Sequence, residues 1–475
     1  MKNGKNKNIS ILLLILSFII SRLILYIIGV RFDTSPLSWF YQFLDPVVLK
    51  QDLCRSIFYL HIQPPLFNLF LGLVLKIVPD NGQFLFPIVY SSVGLLMVLL
   101  LFTILTEFKI SSIFALLLCL FFMVSPPTIL FENWLFYDYL VTFLLLLAVY
   151  LLYKYIIKNY WVYIFLFFLC LSLIILTRAI FHLLWFVVIL IGLLFSYRNN
   201  FKKIFLSSLI PLLLVSGFYF KNYIIFKQFN LCSWFGMNLI KMTWTTPFDK
   251  TTKLVEDGKI SDIGILLPFG KPEVYQKYAN FDTFTHIPAL DRKYKTNGSI
   301  NFNHIGYISV SQQYYTAAKY LIIKFPQYYL VSVAKSFYAY LKPCSDSTIL
   351  KGNNRSVIYP WTHFYEYYLL GGFLQKFWHT TYLNRLGQKN AIYINFLYIL
   401  LSFIYGWAII VLIKGEKLIK ITKTQKFLLG FIMFNIFYVT IVGNFTDTGE
   451  NMRFRFLLQP YTYILAGLLF KTPTP

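Results

Sequence analysis

The stretch Ile9–Val30, ISILLLILSFIISRLILYIIGV, decides the class of fold, because it is an apolar run of about 22 residues close to the first residue. At 1.5 Å per residue, a helix of this length crosses the hydrocarbon core of a membrane, which is about 30 Å thick. The run is longer than a signal-peptide core and no small-residue cleavage pattern follows it, so we expect a retained anchor. The flanking Lys2, Lys5 and Lys7 predict a cytoplasmic N-terminus.

The composition extends this prediction to the whole chain. Of its 475 residues, 58% are hydrophobic and only 13% are charged, whereas roughly a quarter are charged in soluble domains. The net charge of +24 suits membrane surfaces and phosphates. The sequence contains no Walker loop, dinucleotide-binding glycine pattern, His-Glu-x-x-His or Gly-x-Ser-x-Gly motif, which argues against nucleotide hydrolysis and the common hydrolases. We expect no nucleic acid as a partner.

Apolar segments of spanning length recur along the chain. Together they predict an all-α polytopic membrane protein with about ten transmembrane helices, interfacial helices and a long extracytoplasmic loop region. The spans predicted after the first are Phe84–Thr106, Ser112–Leu130, Tyr139–Tyr155, Trp161–Leu176, Ala179–Phe195, Ile204–Phe220, Ala391–Ile413, Phe427–Val442 and Leu457–Phe470.

The distribution of charge gives the orientation of these spans. With the N-terminus inside, the short inside loops hold the basic clusters and the acids concentrate on the other face. We therefore expect both termini in the cytoplasm, and we expect the protein to lie in a bacterial inner membrane. The inside residues are Lys109, Lys154, Lys158, Arg198, Lys202, Lys203, Lys414, Lys417, Lys420, Lys423, Lys426 and Lys471, and the outer loops are 31–62, 126–137, 221–390 and 443–455.

Three regions follow along the chain: a transmembrane core at 1–220, an extracytoplasmic segment at 221–390 and C-terminal spans at 391–475. Leu66–Val78 is apolar but only about 13 residues long, so we place it along the interface. In the middle region, the amphipathic stretches Tyr314–Ile323 and Tyr328–Leu341 predict surface-lying helices or a small lid.

Acidic residues in the first outer loop are candidates for chemistry. Asp33 follows the first span directly, and Asp45 lies farther along the same loop. A carboxylate at the membrane surface can take a proton from an alcohol that attacks a membrane-bound donor. Each of the two could instead cap an interfacial helix. Arg22, inside the first span, is expected to face the protein interior or a water-filled cavity, in either a functional or a structural pairing role.

Polar residues near the same surface are candidates for substrate binding. His61 and Gln63 are held at the membrane boundary by Pro64 and Pro65, and His61 could bind phosphate, a hydroxyl or a metal, or be an ordinary turn residue. Glu132, Asp138 and Arg178 stand at outer helix ends, where they either line a pocket or are solvated. Arg453 and Arg455 precede the last span and could grip a phosphate or extend into the headgroups.

In this order, the motifs resemble those of the C-type-fold membrane glycosyltransferases, a group that includes protein O-mannosyltransferases and aminoarabinose transferases. The resemblance spans nearly the whole chain. It rests on Asp33, the element of His61, Pro64, Pro65 and Leu66, Ser125-Pro126 with Glu132 and Asp138, Thr177-Arg178, Lys221-Asn222-Tyr223 with Gly236 and Asn238, and Arg453-Phe454-Arg455 before Pro460.

The resemblance implies a polyprenyl-phosphate-linked sugar as donor, and inverting transfer on the outer face to a glycolipid, a polymer or a protein of the cell envelope. It implies an Asp of the first loop as base. Relatives often have Asp-Glu where this chain has Asp33-Thr34, so both Asp33 and Asp45 stand as candidates. No metal ligands are assigned, although a divalent ion could assist as cofactor.

The resemblance also implies roles for the other candidates. Arg453 and Arg455 would hold the departing lipid phosphate. The donor or acceptor pocket would be lined by His61, Gln63, Glu132, Asp138 and Arg178. Two other functions share lipid-linked substrates: a sugar transporter or flippase, which would need ionisable groups at mid-membrane and repeated halves, and an O-antigen polymerase or ligase.

Overall fold

The fold is helical throughout the part of the chain that the computed structural model describes, which is residues 2–78, 82–350, 352–370, 396–418 and 421–469. Two isolated β-bridges, Asp33 with Trp134 and Tyr294 with Ile300, are the only strand-type pairings in those ranges. The predicted all-α class is therefore confirmed for the described residues.

Thirteen longer helices carry the architecture, and we number them in chain order. They are α1 (Lys2–Ile27), α2 (Pro65–Ile77), α3 (Leu85–Glu107), α4 (Ser112–Met123), α5 (Tyr137–Lys158), α6 (Trp161–Thr177), α7 (Leu183–Ser196), α8 (Phe201–Phe226), α9 (Gly306–Lys324), α10 (Pro326–Leu341), α11 (Phe396–Leu418), α12 (Lys423–Thr446) and α13 (Gln459–Leu469). Shorter helices between them include Pro36–Trp39, Pro46–Gln51, Leu53–Phe58, Pro126–Glu132, Phe235–Leu239, Phe248–Glu256, Pro288–Asp291, Asn353–Val357, Tyr359–His363 and Met452–Phe456.

Within the described residues, five helices are long and apolar enough to cross a membrane: Lys7–Ile27, Leu85–Glu107, Tyr137–Lys158, Arg198–Phe226 and Lys423–Thr446. A sixth span results if α4 and Pro126–Glu132, which meet at a bend of 57°, are taken together. These helices indicate a membrane protein, but the predicted count of about ten spans is not confirmed. At two other predicted spans, α6 has 17 residues and α7 has 14, and the predicted span Ala391–Ile413 lies partly outside the described residues.

One end of the bundle, which we call the basic end, gathers the starts of α1, α8 and α12 and the ends of α3 and α5. The ammonium of Lys7 lies 3.9 Å from the carboxylate of Glu107, and the amide of Gln425 donates to the Glu107 carbonyl at 3.1 Å. Lys203 donates to the Asn159 carbonyl at 2.8 Å. Because these contacts join helices that run in opposite directions, the basic loops between them are neighbours.

The opposite end, which we call the loop end, carries residues 227–350 and 352–370, which follow α8. Its helices α9 and α10 contain the two stretches that were predicted to be helical, and α10 begins at Pro326. The segment shares one continuous buried core with the bundle, in which Trp234 and Tyr307 pack with residues of the long helices. The helix Phe235–Leu239 lies directly on α9, since a Cβ at Gly236 would stand 1.8 Å from the Ser311 carbonyl oxygen. Only glycine permits that approach.

Arg22 shows how the bundle accommodates a charge inside its first helix. Its Nε donates to Glu132 Oε1 at 2.9 Å, and the hydroxyl of Tyr139 donates to the second oxygen of Glu132 at 2.8 Å. Glu132 is 2% exposed. An intramembrane charge is tolerated when it faces a partner inside the protein, so Arg22 and Glu132 form a structural pair that joins α1 to the bend after α4.

Candidate functional site

Two arginines and one aspartate meet, buried, at the loop end of the bundle. Arg178 forms an ion pair with Asp138, and Nη1 of Arg453 lies 4.0 Å from the other carboxylate oxygen of Asp138. Their side chains are 5%, 0% and 11% exposed for Arg178, Asp138 and Arg453. We call these three residues the arginine cluster. One carboxylate between two guanidinium groups leaves a buried surplus of one positive charge.

Local structure explains how the three residues are presented. Asp138 lies in the first turn of α5, directly after an extended segment whose residue Trp134 bridges to Asp33. Arg178 is the residue at which α6 ends, and its extended backbone leads the chain away from the helix axis. Arg453 belongs to the short helix Met452–Phe456. Each of the three side chains therefore extends from a helix terminus at the loop end of the bundle.

The arginine cluster borders a cavity of about 710 Å³. Its polar lining contains carboxamides, which suit the recognition of sugar hydroxyls because each offers donors and an acceptor. Its other lining is apolar and comes from α7, α8 and α12 and from the segments that follow α6 and α8. The polar residues are Gln42, Gln63, Tyr137, Arg178, His182, Asn230, Asn238, Thr446, Asp447 and Arg453, and the apolar ones include Leu183, Leu184, Val187, Tyr219, Phe229 and Val442.

Asp447, which follows α12, brings a carboxylate to the same cavity. Its Oδ1 accepts from the ammonium of Lys241 and, at 2.8 Å, from the backbone N–H of Thr448. Lys241 is placed by the 3₁₀ turn that follows the helix Phe235–Leu239. The close packing of Gly236 on α9 thus fixes the position of this second ion pair.

The electrostatics of the cavity favour an anion. Burial lowers the pKa of Arg178 to about 10, and the nearby Tyr137 and Asp447 oppose that shift, so the guanidinium stays cationic at neutral pH. Nε and Nη1 of Arg453 are buried, and neither has a hydrogen-bond partner among the described residues. Buried donors normally have partners. A phosphate oxygen in the cavity would supply the missing acceptor and balance the surplus charge.

No family model, curated protein or solved structure matches this chain. Among the described residues, no group of three or more His, Cys, Asp or Glu side chains is arranged to hold a metal ion.

The two predicted bases lie outside this cavity. Oδ1 of Asp33 accepts from the backbone N–H of Ser35 at 2.9 Å, and its Oδ2 faces Gly352. Asp45 is 6% exposed and caps the helix Pro46–Gln51 by accepting from Val47, while Thr296 donates to it from its backbone and its hydroxyl. For Asp45 the capping alternative fits the structure, because its oxygens are occupied by donors that fix a loop.

The predicted substrate-binding residues divide into two groups. Gln63 and Arg178 line the cavity and Asp138 is paired with Arg178 behind it, whereas Glu132 is paired with Arg22. His61 is 1% exposed, and its ring is held between the Ser233 hydroxyl at 2.8 Å and the Asn303 carbonyl at 3.0 Å. The ordinary structural role that the sequence left open for His61 is therefore the one that the structure supports.

Arg455 does not share the site of Arg453. Side chains two positions apart in a helix point to different sides, and Arg455 extends to the far side of Met452–Phe456. There it donates to the carbonyl oxygens of Tyr340 at 2.9 Å and Lys342 at 2.7 Å. The structure therefore corrects the predicted joint role of the two arginines, since Arg455 is occupied in joining the last helices to α10.

Sequence reasoning missed two residues of the cavity that carry charge or protons, Asp447 and His182, and it missed Lys241, which pairs with Asp447. A signal existed for Asp447, because it stands at the outer end of a predicted span, two residues before Gly449 and a few residues before Arg453. Gly449 has φ of +122°, and the tight turn that it allows returns the chain so that Asp447 and Arg453 line one cavity.

Replacing His61 by glutamine is expected to weaken the dependence of stability on pH. Burial lowers the pKa of His61 from 6.5 to about 3. Between those values the unfolded chain binds a proton that the folded chain does not, so stability falls as pH falls, by up to about 1.4 kcal/mol per pH unit. Thermal unfolding of detergent-solubilised protein across this range, with exposed His286→Gln as the control, measures the effect. Identical pH slopes in wild type and the His61 variant would contradict it.

Proposed function

We propose that this protein is a membrane glycosyltransferase that moves a sugar from a polyprenyl-phosphate donor to an acceptor hydroxyl with inversion. The observation that carries the proposal is the arginine cluster beside a cavity that is polar on one part and apolar on another. A lipid-linked sugar has the same three chemical parts: a phosphate, a hydroxylated ring and a hydrocarbon chain. Each finds a matching surface in one cavity.

The charged part of the cavity suits the leaving group. In the transfer, the bond between the anomeric carbon and the phosphate oxygen breaks, and negative charge builds on the phosphate. Arg178 and Arg453 are already buried and oriented, so they would stabilise that charge without reorganising. Arg453 has the unpartnered donors for this contact.

The uncharged parts suit the sugar and the chain. Gln42, Gln63 and Asn238 line the polar region, where carboxamides would bind ring hydroxyls. Leu184 and Val187 of α7 belong to the apolar region, which would hold the first isoprene units next to the membrane.

We further propose that the basic end faces the cytoplasm, so that the cavity opens on the extracytoplasmic side of a bacterial inner membrane. The positive-inside tendency supports this orientation. A total of about ten membrane crossings fits this orientation. The short helices α6 and α7 run between the same two ends of the bundle as the long helices, so they would count as crossings too. Arg178, at the end of α6, pairs with Asp138 at the start of α5, and Tyr197, just after α7, packs on Phe427 at the basic end.

The test is transfer by the purified protein. We expect solubilised protein to release or transfer radiolabelled sugar from a pool of polyprenyl-phosphate sugars, and sugar-free polyprenyl phosphate to compete. Failure to move sugar from every lipid donor tried would overturn the proposal. A protein that binds the donor and carries it across vesicles without cleaving it would instead be a transporter.

A further inference from the structure

Among the described residues, one acidic side chain lines the cavity beside the arginine cluster and is exposed to that cavity. That acid is Asp447. Asp138 is fully buried against Arg178, and the two acids of the first outer loop, Asp33 and Asp45, do not line the cavity. A transfer to a hydroxyl needs a proton acceptor on the side from which the hydroxyl arrives.

The carboxylate of Asp447 is fixed through one oxygen and open through the other. Oδ1 accepts from the ammonium of Lys241 and from the N–H of Thr448. Oδ2 accepts no hydrogen bond from any described residue, and the side chain is 27% exposed. A base has this form when one oxygen sets the orientation and the other is free to receive a proton.

The loop behind Asp447 is rigid enough to hold it there. The carbonyl oxygen of Asp447 accepts from the Asn451 amide at 2.9 Å and from the Ser336 hydroxyl at 3.1 Å. Asn451 is itself 1% exposed and bonds the end of α12 through the Gly443 carbonyl. The backbone at Asp447 is therefore tied both to α10 and to the turn that leads to Arg453.

We infer that Asp447 is the general base of the transfer, an inference that rests on the proposed function. The acceptor oxygen attacks the anomeric carbon on the face opposite the phosphate, and its proton passes to Oδ2 of Asp447. The bond from the anomeric carbon to the phosphate oxygen breaks, and its electron pair leaves with the phosphate held by Arg178 and Arg453. The glycosylated acceptor, the released polyprenyl phosphate and the protonated carboxylate together account for all atoms, and no further reactant is required.

Lys241 is then a positioning residue. Its ammonium donates to Oδ1 and so fixes the orientation of the carboxylate. The other titratable groups that face this carboxylate are Arg178 and Cys232. Neither of them donates a hydrogen bond to Asp447 in the described part of the chain.

The experiment compares transfer from a radiolabelled polyprenyl-phosphate sugar by Asp447→Asn, Asp33→Asn and Asp45→Asn, with exposed Asp257→Asn as the matched control. We expect Asp447→Asn to lose roughly 10²–10⁴-fold in kcat while its melting temperature and its affinity for sugar-free polyprenyl phosphate stay near wild type. Full activity of Asp447→Asn, or a comparable loss only in Asp33→Asn, would overturn the inference. Absence of transfer by wild type would instead overturn the proposed function.

A second variant separates chemistry from folding. In Lys241→Gln the carboxylate keeps its place in the chain but loses the donor that orients Oδ1, so kcat is expected to fall while the affinity for sugar-free polyprenyl phosphate stays near wild type. A merely structural ion pair would lower the amount of folded protein without lowering kcat per folded molecule. An unchanged kcat in a folded Lys241→Gln variant would count against Asp447 as the base.

Discussion

Replacing Arg453 by glutamine is expected to reduce sugar transfer by roughly 10²–10³-fold, the loss typical of removing one preorganised donor to a developing negative charge. Nε and Nη1 of Arg453 have no hydrogen-bond partner among the described residues, so the guanidinium is available to the phosphate. The loss should appear mainly in kcat, because the charge on the phosphate grows as the bond to the sugar breaks.

Arg455→Gln is the matched control, since the same substitution two positions away removes a guanidinium of the same short helix. Arg455 donates to two backbone carbonyls outside the cavity, so its loss should lower the melting temperature and leave kcat per folded molecule near wild type. Arg453→Lys should fall between wild type and Arg453→Gln, because lysine keeps the charge but not the fork of donors. Equal kcat losses in the Arg453 and Arg455 variants would refute the assignment.

Hydropathy and charge predicted the elements because both are local properties of the chain. The predicted span Phe84–Thr106 is the helix Leu85–Glu107, and the span Phe427–Val442 lies within α12. The prediction was less accurate at Ala179–Phe195, where the helix begins only at Leu183. Counting apolar residues could not predict that α6 ends at Thr177 and that the backbone of Arg178 is extended. This extended backbone lets the side chain of Arg178 reach Asp138.

The contents of the site were predicted only in part, because proximity between distant segments is a tertiary property. The sequence singled out Asp138, Arg178 and Arg453 separately, and the structure joins them. It proposed Asp33 and Asp45 as candidate bases and did not single out Asp447, since the first outer loop carries the resemblance to C-type glycosyltransferases. Nothing in the local sequence shows that Asp33 is turned towards Ser35, or that the turn at Gly449 brings Asp447 beside Lys241.

Replacing Asp138 by asparagine is expected to destabilise the fold by about 3–5 kcal/mol, the cost of leaving a buried charge without its partner. Arg178 and Arg453 would then face each other with their charges uncompensated, although the volume of the side chain is unchanged. Thermal and denaturant unfolding in detergent measures the change. In the double variant Asp138→Asn with Arg178→Gln, the destabilisation should be smaller than the sum of the two single effects, because the unpaired charge is removed with its partner.

The same variant tests what the two arginines are for. If they bind a lipid phosphate, then sugar-free polyprenyl phosphate should raise the melting temperature of Asp138→Asn by more than that of wild type, because the phosphate replaces the missing carboxylate. Glu132→Gln is the matched control: it also removes the acid of a buried arginine pair, but Arg22 does not line the cavity. Glu132→Gln should also be less stable than wild type, but polyprenyl phosphate should raise its melting temperature no more than that of wild type. Equal rescue of the two variants would show that the ligand stabilises the fold elsewhere, and absence of rescue in Asp138→Asn would leave the arginine cluster a purely structural contact.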